Sequence, residues 1–116
     1  MRAALAACLA IVLTLPAGAQ GIDGLYFPEG ETGWSCHAAD VGQDGGALAI
    51  RGDTLAGVEN VCTLSRPVAR ADGATDYTVT CESEGESYSE DVTLIPDAGG
   101  VVLRYAVDAV RWERCR

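Results

Sequence analysis

The chain contains no lysine: arginine supplies all eight basic residues, against seventeen acids, for a formal net charge of −9. Nucleic acids and anionic membrane surfaces are thereby excluded as partners, because their binders need a basic footprint. Excess negative charge mainly keeps a small domain in solution; where it gathers, it favours a basic protein partner. Histidine is nearly absent as well. His37 is the only one, so any Ser-His-Asp or Cys-His arrangement has to run through it, and a solvated loop residue is the expectation. No G-x-S-x-G, H-E-x-x-H or phosphate-cradling G-x-x-x-x-G-K occurs. No C-x-x-C occurs either, which removes a thioredoxin-type pair and a zinc knuckle. Asp40 and Asp44 sit in a glycine-rich loop that lacks the further acid and the closing Glu of a calcium loop. Outside the first residues nothing has the length of a membrane span, and nothing shows the 3.6-residue apolar period of a helix. The expectation is a non-enzymatic protein with no cofactor, no metal and essentially no helix.

What is present begins with a leader. Arg2 gives a positive start, Ala3 to Leu15 an apolar run, Pro16 a break, and Ala17-Gly18-Ala19 a small-residue cleavage pattern. Residues 1–19 are predicted to be a cleaved signal peptide, cut after Ala19, leaving 20–116 as a single all-β domain that is periplasmic or secreted. Leu5-Ala6-Ala7-Cys8 has the letters of a lipoprotein acylation box, but its apolar stretch follows the cysteine instead of preceding it. Cleavage removes Cys8 and keeps Cys36, Cys62, Cys81 and Cys115. An even set of cysteines behind a signal peptide predicts two disulfides in an oxidising compartment, each worth on the order of 3 kcal/mol.

The rest is alternation punctuated by turns. Gly24 to Pro28 predicts a brief strand, followed by loops through Gly46, with Trp34 buried between them. Ala47 to Ile50 predicts a second strand, and Arg51-Gly52-Asp53 a tight turn. Thr54 to Leu64 reads as one strand with Leu55, Val61 and Thr63 on one face and Cys62 and Leu64 on the other; Ser65 to Ala74 reads as a connection. Asp76 to Ile95 is a β-hairpin turning at Ser83-Glu84-Gly85-Glu86. An even loop sets Cys81 against Tyr88 and Tyr77 against Val92 on one face; an odd loop splits the apolar face, and a one-residue slip moves every side chain across. That register leaves Glu90 opposite Val79 on the apolar side. Pro96 to Gly100 is a turn, Val101 to Val107 a strand, and Asp108 to Arg116 either its continuation or a further strand. The fold class predicted is an antiparallel meander of six or seven short strands closing into a small barrel or sandwich. In such a meander Cys36–Cys62 with Cys81–Cys115 is slightly favoured over Cys62–Cys81 with Cys36–Cys115, since connectivity does not follow from sequence.

Function concentrates at the hairpin tip. Glu82, Glu84, Glu86, Glu90 and Asp91 are the densest acidic patch, with no arginine between Arg70 and Arg104. Nothing at an exposed tip would raise one carboxyl pKa for paired acid–base work. Glu84, Gly85, Glu86 and Tyr88 are therefore candidate residues for binding a basic protein partner, and a barrel mouth that carries a small ligand is the alternative. Glu84-Gly85-Glu86-Ser87-Tyr88 resembles the Ser-Gly-x-x-Tyr motif of the periplasmic C-type lysozyme inhibitors, small disulfide-bearing antiparallel barrels that insert a loop into the lysozyme cleft. The resemblance implies that Gly85 and Tyr88 match that motif. Glu84 stands where the family has serine, and the family's second motif carries a lysine that this chain lacks.

Overall fold

The structure is a computed structural model, and it describes residues 19–116. Except for Ala19, the segment read as a leader, Cys8 included, lies outside the described residues. Ala19–Ile22 form a single helical turn, α1. Eight strands follow: β1 (Gly24–Pro28), β2 (Leu48–Arg51), β3 (Thr54–Gly57), β4 (Asn60–Ala69), β5 (Thr75–Ser83), β6 (Glu86–Asp97), β7 (Gly100–Arg104) and β8 (Ala109–Arg114). Each pairs antiparallel with the next, and β8 pairs with β1, so the meander closes into an eight-stranded barrel. Besides α1, the helical structure among the described residues is a short 3-10 turn at Ala38–Asp40. No helix among the described residues is long and apolar enough to cross a membrane.

The alternating side chains fill the barrel. Tyr26, Ile50, Val79, Val92, Leu94, Val101 and Leu103 are almost fully buried, each contributing about 1.5–3 kcal/mol by leaving water. Ile22 on α1 is buried to the same degree and joins this cluster, and the Tyr26 hydroxyl donates to the Ile22 carbonyl. At the same end Arg114 donates to the carbonyls of Asp23 and Gly21 and lies over the Tyr26 ring. Gly100 is required where β7 crosses close to β8, because a Cβ there would stand 2.0 Å from the Trp112 carbonyl oxygen. Trp34 is half-buried against the core instead of inside it.

The strand count exceeds the predicted six or seven for two local reasons. Thr54 to Leu64 is not one strand: Glu59 takes a positive φ of 54°, and Val58-Glu59 turn the chain between β3 and β4. Leu55 therefore sits opposite Cys62 on the same inner face, not across from it. Asp108 to Arg116 is a separate strand, because Tyr105 to Asp108 make a turn closed by the Tyr105 N–H donating to the Asp108 carbonyl. Ser65 to Ala74 is also only partly a connection. β4 continues to Ala69 through a bulge between Ser65 and Val68 that accommodates Pro67, since proline is tolerated in strands at bulges and edges.

The favoured disulfide pairing is overturned. Cys62 bonds Cys81, and Cys36 bonds Cys115. Cys62 and Cys81 face each other directly in the β4–β5 ladder. Closure of β8 on β1 brings Cys115 beside Leu25, whose carbonyl accepts its N–H, and the β1–β2 loop folds back to meet it there.

Candidate functional site

The β5–β6 hairpin has the predicted even loop. Ser83 and Glu86 close a turn of Glu84 and Gly85, and Cys81 faces Tyr88, Val79 faces Glu90, and Tyr77 faces Val92. Both loop residues take positive φ, 52° and 82°, the geometry of a type I′ turn whose twist matches the strands. Gly85 adopts this region at no steric cost; Glu84 does so at some cost, which the turn imposes. The Ser83 hydroxyl donates to the Glu59 carbonyl (3.3 Å), tying the tip to the β3–β4 turn. Beneath it the Cys62–Cys81 bond clamps β4 to β5, and the Asn60 amide reaches the Tyr88 hydroxyl at 3.5 Å across that bond.

β6 is much longer than its second neighbour. β7 pairs with it only from Thr93 to Asp97, so among the described residues Glu86 to Val92 have a strand partner on the β5 side alone. This is why Glu90, on the apolar face by register, is nevertheless exposed, and why Tyr88 is 46 % exposed although Cys81 opposite is buried. Glu84, Glu86, Ser87, Ser89 and Asp91 are exposed too. The structure therefore brings the candidate residues Glu84, Gly85, Glu86 and Tyr88 together at one exposed end. Tyr105, just past β7, lies under this end: burial pushes its phenol up to about 12, and the charges of Glu90, Tyr88 and Asp108 add to the effect.

Side-chain alternation does not reveal the open edge of β6. The signal available was the turn pattern at Asp108 together with the short run before it, which end β7 well before β6 does.

Two other places gather polar side chains. On the outer face of β4–β6, a depression of about 470 Å³ is lined by Arg66, Val68, Asp76, Thr78, Asp91 and Thr93. Asp76 is lowered below the ordinary carboxylate range, first by the Thr93 hydroxyl donating to it at 2.6 Å and then by Arg70. That carboxylate is satisfied by its own neighbours. In the β1–β2 loop, Ser35, His37 and Asp40 lie together, but the Ser35 hydroxyl donates to Asp40 (2.6 Å), and His37, 76 % exposed, stands 3.8 Å from the same carboxylate. The imidazole is not placed between hydroxyl and acid, so this arrangement does not activate a nucleophile. Among the described residues no three His, Cys, Asp or Glu side chains gather as metal ligands.

The fold is thus that of a closed up-and-down β-barrel braced by two disulfides, with one hairpin standing beyond its wall. Comparison with protein-family models, with curated proteins and with solved structures finds no match in any of the three.

Proposed function

We propose that the protein is a non-enzymatic binding domain of an oxidising compartment, periplasmic or extracellular, which captures a basic protein partner through the hairpin end from Glu82 to Asp91. The observation that carries this reading is the concentration of exposed acids and Tyr88 around a tight two-residue turn, with no arginine between Arg70 and Arg104. Two disulfides support the compartment. The filled interior favours the surface over a ligand-carrying mouth. The five-residue resemblance to the C-type lysozyme inhibitors gives a defined probe.

Binding of the oxidised domain to a C-type lysozyme is to be measured by calorimetry at low and high salt, beside a neutral protein of similar size. Salt-sensitive capture of the lysozyme is expected, since exposed charges are screened as ionic strength rises. Substituting Glu84→Gln, Glu86→Gln and Tyr88→Ala together should abolish capture and leave the melting temperature unchanged. Capture that survives this triple change removes the tip as the site.

A further inference from the structure

The backbone of β6 offers more than side chains. Ser83 and Glu86 flank a two-residue turn and form a hydrogen-bonded pair. Antiparallel ladders alternate hydrogen-bonded and non-bonded pairs, so Tyr88, Glu90 and Val92 turn their N–H and C=O toward β5. Ser87, Ser89 and Asp91 then turn theirs to the open side. The same phase gives Thr78 a carbonyl facing β4, and it does accept the Ser65 hydroxyl there (3.2 Å). Level with the last residue of β7, Thr93 continues the open-side series and finds Arg104.

We infer that the open edge of β6, residues 86–92, binds an extended lysine- or arginine-bearing segment of a protein partner by strand addition, extending the line of β7. Ser87, Ser89 and Asp91 supply main-chain donors and acceptors, the ladder that gives such complexes their affinity. Glu86 and Glu90 lie on the edge beside them, and Tyr88 and Tyr105 form the wall that the segment's inward side chains meet. Charge selects the occupant. An acidic strand, a second β6 included, brings like charges into direct opposition, which is destabilising across strands; a basic one neutralises them. The inference rests on the proposed capture of a basic partner and adds its mode.

The test uses a short alternating Lys-Val peptide, the same peptide N-methylated at every residue so that neither edge can donate, and a C-type lysozyme. Wild-type protein should bind the first peptide and not the methylated one, with slowed amide exchange at Ser87, Ser89 and Asp91 in NMR. Ser89→Pro removes an open-side donor while sparing the β5 ladder, because proline is tolerated where its N–H would face solvent. It should weaken the peptide about tenfold, the scale of one lost hydrogen bond, with the β5–β6 amides still protected. Equal binding of both peptides, or unchanged affinity in Ser89→Pro, overturns strand addition; if lysozyme capture persists in that variant, the proposed function stands without it. Concentration-dependent association of the protein alone, lost in Ser89→Pro, would assign the edge to a second copy and overturn the choice of occupant.

Discussion

β4 and β6 both outrun a neighbour. β4 extends past β3 over Ser65 to Ala69, and β6 extends past β7 over Glu86 to Val92, yet the two open stretches are built in opposite ways. On β4 the chain is bulged, Arg66 is forced to a φ of 55°, and Pro67 has no N–H to offer. These are the devices by which sheets blunt an edge against pairing. On β6 the ladder to β5 runs without a register shift, contains no proline and is protected by acids alone. One edge is closed to every strand; the other is closed only to strands of the wrong charge.

The two open stretches should answer differently to substitution. The largest effect is expected in the covered half of β6: Leu94→Ala should cost about 2–5 kcal/mol by leaving a cavity under β7, whereas Ser89→Ala in the open half should change stability by less than about 0.5 kcal/mol. Denaturant titration of the two variants decides it, and equal costs would mean the open half is not open. Next, removing the Cys62–Cys81 bond as a double alanine variant should cost about 3 kcal/mol for a loop of 19 residues. It should also accelerate amide exchange in both open stretches, since it clamps β4 to β5, the strand both stretches pair with; faster exchange in β4 alone would separate the two edges mechanically. Third, Pro67→Thr returns a donor to the β4 edge and should raise self-association in sedimentation with little loss of stability.

Smaller effects mark the two ends of β6. Asp97, at the covered end, is held at about 2, chiefly by hydrogen bonds from Arg111. Its native pKa lies below the ordinary value of 3.8, so it contributes stability that is present above that value and is lost as pH falls toward about 2. Arg111→Gln should flatten the acid limb of the stability curve over that window; an unchanged limb would show that the pair contributes nothing. At the open end Glu90→Gln should lower the Tyr105 pKa from about 12, because one of the charges raising it is gone. Ultraviolet titration of the phenols reads this shift, and Tyr105 titrating unchanged would place Glu90 out of its reach.

The features legible beforehand were those settled within one hairpin. Two-residue periodicity and an even loop are enough to fix Cys81 against Tyr88 and Val79 against Glu90, because a slip exposes the whole apolar face. What stayed hidden depends on neighbours distant in sequence. Val58-Glu59 turn with Gly57 and Asn60 beside the bend and neither glycine nor proline in it, so the alternation of Leu55, Val61 and Thr63 reads straight through it. The disulfide partners depend on β8 closing onto β1, and an unclosed meander leaves Cys36 and Cys115 far apart. The acidic tip was visible from composition, but its open edge is a difference in length between β6 and β7.

The helical turn α1 and the last strand end together. Arg114 donates to the Gly21 and Asp23 carbonyls, and Cys115 follows directly beside Leu25. In a barrel of alternating strands this end lies opposite the Glu84-Gly85 turn. A linker attached before residue 19 or after residue 116 would therefore hold the domain by its base and point the acidic hairpin away from the surface, so immobilisation through either end leaves the β6 edge facing solution.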